Sequence, residues 1–205
     1  MVPMSEAGAA ARRSRTPSAD VERELLAAAE AVLVRDGPGG LTVRAVAAEA
    51  GIAPMSVYNR LGSKDGLVDA LLIKGFDRLC AAIEAGQEPD ILARLRASCM
   101  RYRTFALANS RLYAIMFEDT TPRERDQAEV VEQAAACFGA LVRTVELASA
   151  AGVISAPDPF EAAQQIYSSV HGAVTLELKG MVCTPDPEAS YRALIETIIR
   201  GLSPI

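Results

Sequence analysis

Apolar residues recur at intervals of three and four along most of the 205-residue chain, and glycine, proline or asparagine interrupts them at short distances. In the first such segment Leu25, Ala29 and Val32 share this spacing until Gly37-Pro38 ends it. This period is that of an α-helix with one buried face. No segment shows the alternation of a β-strand, and the alanine-rich, aromatic-poor composition favours closely packed helices. The sequence therefore predicts an all-α fold.

The interruptions and the capping residues predict about nine helices. Ser18, Thr42 and Ser63 begin the first, second and fourth helices, because their side chains cap a helix N-terminus. Pro54 suits the first turn of the third helix, and Gly51 ends the second. The remaining helices are predicted over residues 90–108, 110–118, 122–151, 158–182 and 187–202.

Charge and hydropathy restrict the partners of the chain. Residues 1–66 carry eight Lys or Arg and eight Asp or Glu, so the net charge of −5 arises in residues 67–205. Any contact with nucleic acid must then use a few well-placed cations and not a broad basic field. No apolar run reaches the roughly 18 residues that span a bilayer, and the start lacks a secretory signal. The sequence predicts a cytoplasmic protein without a membrane partner.

Groups that hold metals or carry out catalysis are sparse. The four cysteines, Cys80, Cys99, Cys137 and Cys183, form no pair at the spacing of a zinc site and are predicted to be reduced thiols. An oxidant-sensing cysteine is the alternative. The chain has one histidine, no glycine-rich phosphate loop and no nucleophile beside a base. We expect no cofactor, no metal and no enzymatic activity.

Two short predicted helices within residues 42–61 are joined by the three-residue turn Gly51-Ile52-Ala53. This is the helix-turn-helix unit, whose second helix enters the major groove of DNA. That helix is too short to bury both faces and carries Tyr58 and Asn59, with Lys64 shortly beyond. Phenol and ammonium groups bind phosphate oxygens, and an amide reads a base edge. Taken singly, Tyr58 could pack against the first helix and Lys64 could be a solvated charge; their joint spacing favours DNA.

These residues belong to a longer pattern, which consists of Thr42-Val43-Arg44-Ala45-Val46-Ala47, Gly51-Ile52-Ala53, Val57-Tyr58, Ser63-Lys64 and Leu67. Over residues 20–68 the pattern resembles the TetR family of repressors. The resemblance implies that double-stranded operator DNA is the partner, with Tyr58 and Lys64 at phosphates and Met55 and Asn59 at bases. The residues it implies as DNA contacts are Thr42, Arg44, Pro54, Met55, Tyr58, Asn59 and Lys64.

Large soft side chains occur on several of the later predicted helices, Tyr102 and Tyr113 among them. Helical bundles bind small molecules in apolar cavities between such helices, although the same residue types more often form ordinary core. The candidate ligand contacts are Met100, Phe105, Met116, Phe117, Phe138, Tyr167 and His171.

Residues 109–117 and 170–178 resemble a C-terminal domain of the TetR family that carries Trp-His-Gly in its penultimate helix. Here Val170 precedes His171-Gly172 in place of tryptophan. The resemblance implies that His171 lines the cavity or holds a buried hydrogen bond, and a satisfied core histidine is the alternative.

The last two predicted helices each carry an apolar stripe, and the family pairs these helices with their copies in a four-helix interface. A two-fold dimer would hold two recognition helices about one DNA turn (~34 Å) apart on a near-palindromic operator. The predicted interface residues are Ile166, Val170, Val174, Leu178, Leu194, Ile195, Ile198 and Leu202.

The predicted domains are a flexible arm, residues 1–17, a helix-turn-helix domain, residues 18–66, and a ligand-binding and dimerisation domain, residues 67–205. The fourth helix, residues 63–86, connects the last two. Arg12, Arg13 and Arg15 give the arm an alternative role in contacting phosphates or a minor groove.

The predicted function is that of a homodimeric transcriptional repressor that releases its operator when a small-molecule effector binds. An activator or a ligand-independent regulator of the same fold is the alternative, and a helical enzyme or adaptor is the remote one.

Overall fold

The computed structural model describes residues 18–86, 88–118 and 128–204. Within these ranges the regular elements are nine α-helices without a strand, which confirms the predicted all-α fold. The predicted N-terminal arm and residues 122–127 of the predicted seventh helix lie outside the described residues. The helices are α1 (Ser18–Gly40), α2 (Val43–Glu49), α3 (Pro54–Leu61), α4 (Lys64–Glu84), α5 (Ile91–Ala108), α6 (Ser110–Phe117), α7 (Ala128–Ala150), α8 (Pro159–Leu178) and α9 (Pro187–Gly201).

Side-chain caps account for most of the helix starts. Thr42 Oγ1 accepts a hydrogen bond from the Ala45 N–H at 3.1 Å and begins α2. Ser63 Oγ accepts from the Gly66 N–H at 3.1 Å and begins α4. Each bond satisfies one N–H group that has no partner inside its own helix. Aspartates cap α5, α8 and α9 in the same way; they are Asp90, Asp158 and Asp186.

The first helix extends one turn beyond the end that the sequence predicts. Gly37 has φ 71° and ψ −177°, so the helical path is broken at the predicted position. Glycine adopts a positive φ without a Cβ clash, and Pro38 then begins a short further turn that ends at Gly40. The kink therefore lies where the Gly-Pro pair predicts it.

The helices pack in two groups, which we call the first and the second layer, around one continuous apolar core. In the first, α1, α2 and α3 bury Leu25, Val32, Val46 and Val57 completely. In the second, α5, α7, α8 and α9 pack side by side. Helix α4 contacts α1 and α3 as well as α5 and α7, so it joins the two layers. None of the helices in the described ranges combines the length and apolarity that crossing a bilayer needs.

Candidate DNA interface and internal cavity

Helix α3 has one buried face and one exposed face. Val57 is completely buried and Leu61 is nearly so, which fixes the helix against the rest of the first layer. The turn before it contains Gly51 at φ 66°, and Pro54 occupies the first helical position. Gly62 at φ 73° ends the helix. Of the six remaining side chains, Ser56 is partly exposed and the other five are exposed. We call four of these, Pro54, Met55, Tyr58 and Asn59, the recognition face.

All seven residues predicted to contact DNA lie at the surface, including Thr42, Arg44 and Lys64 beside the recognition face. Met55 is 66% exposed and Tyr58 is 47% exposed. Thr42 uses an oxygen lone pair for its cap, so its hydroxyl proton remains able to bind a phosphate oxygen. Large apolar groups at this exposure are typical of a contact surface when they are grouped with polar ones.

Cations without a carboxylate partner surround the recognition face. In the described part of the chain, Arg44, Arg60 and Lys64 form no ion pair. Arg35 differs, because it pairs with Glu49 at 2.6 Å and with Asp36 at 2.9 Å. The positive charge next to α3 is thus left for an external anion, although the whole chain is acidic.

A cavity of about 630 Å³ lies between α4, α5, α6, α7 and α8. This volume is within the range of sites for drug-sized molecules. Five of the ten Phe and Tyr residues of the chain line it. They are Phe76, Tyr102, Phe117, Phe138 and Tyr167.

The structure brings four of the seven predicted ligand contacts to this cavity, namely Met116, Phe117, Phe138 and Tyr167. Met100 and Phe105 are not among its lining residues. The Phe105 ring is buried instead beneath the Arg78 guanidinium, 6.0 Å from the ring centroid. His171 also lies outside the lining, one layer behind Tyr102 and Phe117, with its ring 5.0 Å from that of Phe117.

His171 closes a hydrogen-bonded triad with two tyrosines. Its Nδ1 lies 2.7 Å from the Tyr113 hydroxyl and 3.0 Å from that of Tyr102, and the two hydroxyls are 2.9 Å apart. Burial lowers the pKa of His171, raises the pKa of Tyr113 to about 12 and raises the pKa of Tyr102 further. A neutral imidazole with its proton on Nε2 accepts at Nδ1 from a tyrosine hydroxyl, and one with its proton on Nδ1 donates to it. The resemblance implies that His171 either lines the cavity or holds a buried hydrogen bond, and its position fits the buried hydrogen bond.

The sequence did not predict the polar residues at one end of the cavity. Glu84 and Arg143 form an ion pair of 3.0 Å across α4 and α7. Arg94 and Ser98 of α5 line the same end. These residues lie on three helices and share no motif, so only the fold brings them together.

Half of the residues predicted for the dimer interface are buried within the single chain. They are at most 3% exposed and belong to its own core: Ile166, Val170, Val174 and Ile195. Ile166 and Val170 line the cavity. The apolar stripe of α8 is satisfied by α5 and α7, which pack on that face. The other four predicted residues, Leu178, Leu194, Ile198 and Leu202, are partly exposed.

Known proteins are similar to both the N-terminal and the C-terminal part of this chain. The family model of bacterial regulatory proteins, tetR family, matches residues 25–71, and that of the tetracyclin repressor-like C-terminal domain matches residues 95–198. An uncharacterized helix-turn-helix-type transcriptional regulator of Mycobacterium tuberculosis is 26% identical over 199 residues, which are 96% of this chain and 88% of that protein.

Solved structures extend the resemblance to the whole fold. A Rhodococcus sp. RHA1 protein of unknown function is 34% identical, with a TM-score of 0.82 over 94% of this chain and 100% of that one. A bacterial regulatory protein in the tetR family, also from Rhodococcus RHA1, has a TM-score of 0.69 and 22% identity over 93% of this chain and 100% of its own. The similarity to the second of these structures shows a shared fold.

Proposed function

This chain belongs to the TetR family of bacterial regulatory proteins, and we propose that it is a repressor that leaves its operator when a small molecule fills the cavity. Members of this family are DNA-binding transcription regulators and not enzymes. The observation that carries the proposal is the presence in one chain of an exposed recognition face and a cavity of about 630 Å³, both in contact with α4.

The proposed domains divide at α4, with residues 18–66 on the DNA side and residues 67–205 on the ligand side. We retain the Trp-His-Gly type for the C-terminal domain as part of the proposal. It is supported by the triad of His171 with Tyr102 and Tyr113, which gives the histidine of the His-Gly pair defined hydrogen-bond partners.

Helix α4 supplies a route between the two sites. Lys64 begins the helix beside the recognition face, and Phe76, Leu79 and Ile83 line the cavity. At 1.5 Å per residue the helix is about 30 Å long. A rigid helix that packs on α3 at one end transmits a shift at its other end.

Helix α6 supplies a second route. Met116 and Phe117 line the cavity, and α6 packs against α1 of the DNA-binding layer. A ligand that prefers the arrangement in which recognition helices no longer match the operator spacing then lowers operator affinity. By the same linkage, operator DNA lowers the affinity for the ligand.

The experiment is a titration of a DNA fragment from upstream of the chain's own gene, followed by fluorescence anisotropy at several salt concentrations. We expect Lys64→Ala to weaken binding to all sequences and to reduce the salt slope by about one. We expect Asn59→Ala to change the preference among operator variants, with a cost of about 1–3 kcal/mol at one base position.

The matched control is Arg192→Ala, which removes an exposed cation from α9, remote from the recognition face. It should leave both affinity and salt slope unchanged. A Lys64→Ala protein with the wild-type salt slope would remove that residue from the DNA interface. Wild-type protein that ignores the native promoter at low ionic strength would refute the proposed function as a whole.

A further inference from the structure

The cavity is polar at one end and aromatic at the other. Helices α4 and α7 run in the same direction, since Asp77 bonds to Gln133 at 2.7 Å and Glu84 bonds to Arg143 at 3.0 Å. Helix α5 runs against α4, because Ser98 Oγ donates to the Ile83 carbonyl at 3.0 Å whereas Arg78, earlier on α4, donates to Asn109 just beyond the end of α5 at 2.7 Å. Phe76 therefore lies toward the DNA-binding layer, and Arg143 lies at the far end.

Solvent reaches the polar end more easily than the aromatic end. The side chains of Glu84 and Arg143 are 49% and 60% exposed. At the other end, Phe76 is buried and its ring meets that of Phe117 edge-on at 5.6 Å. A molecule that enters from the polar end would keep its polar group there and place its apolar body among the rings.

The polar end has one cation in excess. The charged residues that line the cavity are Glu84, Arg94 and Arg143, and the first and last of these are paired with each other. Arg94 forms no ion pair within the described residues, and its Nε is buried without a hydrogen-bond partner. The nearby acid Glu88 is bonded to Arg101 through Oε1 at 2.7 Å, and its Oε2 is buried without a hydrogen bond near the charge of Arg94. With Glu88 and Arg101 counted, this end still holds three arginines and two glutamates. A buried donor without an acceptor is costly, which a bound oxyanion would remedy.

We propose that the effector is an amphipathic anion, with an aromatic or alicyclic body and one carboxylate- or sulfonate-like head that Arg94 binds. This inference rests on the proposed function only in taking the cavity as the effector site. A cationic ligand is disfavoured, because the acid that lines the cavity, Glu84, is already paired. A polyphosphate is disfavoured as well, since a single unpaired cation lines the cavity within the described residues.

The test uses two dyes that share one body. The probe 8-anilinonaphthalene-1-sulfonate carries a sulfonate, and N-phenyl-1-naphthylamine is the same ring system without it. The chain contains no tryptophan, so Phe138→Trp places a lone donor at the cavity wall. Energy transfer from this tryptophan is strongest to dye in the cavity, because its efficiency falls steeply with distance.

In that background we expect Arg94→Gln to weaken binding of the sulfonated dye by about tenfold or more, while the neutral dye binds as before. Arg94→Lys should restore part of the loss, because it keeps the charge without the guanidinium fork. The control is Arg96→Gln on the same helix, whose side chain pairs with Glu196 and does not line the cavity. It should change neither affinity.

Equal affinities of the sulfonated dye for wild-type and Arg94→Gln protein would overturn the assignment, as would an equal loss for both dyes. Circular dichroism establishes that each variant is folded. Promoter binding is measured separately on the same proteins. Arg94-dependent dye binding without any effect on DNA would support the ligand class and contradict ligand-induced release, so the two proposals fail in different ways.

Discussion

The one histidine of the sequence occupies a position where its protonation affects stability. His171 stacks on Tyr113 with ring centroids 5.7 Å apart, and its Nδ1 is hydrogen-bonded to that residue's hydroxyl at 2.7 Å. Through Tyr102 the triad connects α5, α6 and α8 behind the cavity. Burial disfavours the charged imidazolium, which lowers the pKa of His171, so the folded chain favours the neutral imidazole.

We expect the free energy of unfolding to fall as the pH drops below about 6.5, with His171 as a main cause. Burial lowers the pKa of His171 from its usual 6.5 in the folded chain. Below that value the unfolded chain binds the proton more readily than the folded chain, so acid favours unfolding. Urea unfolding at a series of pH values between about 7.5 and 5.5 measures the effect.

The comparison protein is His171→Gln, which lacks the titrating group. Its stability should change much less over the same pH interval, whatever its absolute value. Further loss at lower pH should persist in both proteins, because ion pairs with Arg101, Arg192 and Arg96 lower the pKa of Glu88, Glu188 and Glu196. Parallel pH curves for the two proteins above about pH 5.5 would contradict the assignment to His171.

At the scale of helices, one buried arginine joins three elements. Arg103 of α5 is 9% exposed and bonds to both oxygens of Glu177 on α8, at 2.8 and 2.6 Å. Its remaining nitrogen reaches Glu188 of α9 at 3.4 Å. The guanidinium also lies 5.9 Å from the Tyr191 ring centroid. The pair therefore fixes how α8 and α9 lie on α5.

We expect Arg103→Met to lower the free energy of unfolding by roughly 3 kcal/mol, because it leaves the Glu177 carboxylate buried without its partner. The matched control is Arg96→Met on the same helix. Its pair with Glu196 is 38% and 48% exposed and should cost less than about 1 kcal/mol. Chemical denaturation measures both, and the double variant Arg103→Met with Glu177→Leu should recover much of the loss. Equal costs for the two single variants would contradict the role given to burial.

The sequence predicts the helices well because their limits depend on local chemistry. Thr42 and Ser63 cap the helices that follow them whatever the rest of the chain does. Gly180 at φ 65° ends α8 slightly before the predicted residue 182, since the positive φ stops the helical path. The recognition face follows from the same local pattern, because a helix of eight residues buries one face.

Contacts between distant helices are less predictable. The stripe of Ile166, Val170 and Val174 signals burial, but an apolar stripe does not distinguish the chain's own core from a partner's surface. The polar end of the cavity joins Glu84 and Arg94 to Arg143, which lies about fifty residues further along the chain. Their spacing carries no signal until the helices are packed.

At the scale of the whole molecule, the proposed dimer requires a surface on which a second copy packs. The apolar stripe of α8 packs against the chain's own core. On the opposite face of α8, Leu176 is 46% exposed, and Gly172 permits the close approach of another helix. On α9 the partly exposed Leu194 and Ile198 lie among exposed Ala193 and Thr197. The family resemblance implies that α8 and α9 form the dimer interface, and we propose that they do so through these exposed faces and not through the buried stripe.

We expect Leu176→Glu to raise the dimer dissociation constant by roughly tenfold or more. In a two-fold interface the substitution occurs twice, and each copy buries a carboxylate without a partner. Sedimentation velocity over a concentration series measures the shift. The matched control is Val131→Glu, which exchanges a 63% exposed apolar residue of α7 for the same charge. It should leave the dissociation constant unchanged.

We expect operator affinity to depend on the dimer dissociation constant, even when the fold of each protomer is unchanged. If each protomer carries one recognition helix, the Leu176→Glu protein must assemble on DNA from monomers, and its half-saturation concentration rises together with the dimer dissociation constant. Its α3 is untouched, so binding at high protein concentration retains the wild-type sequence preference. A monomeric variant with undiminished operator affinity would show that one recognition helix suffices, and the two-fold operator would have to be abandoned.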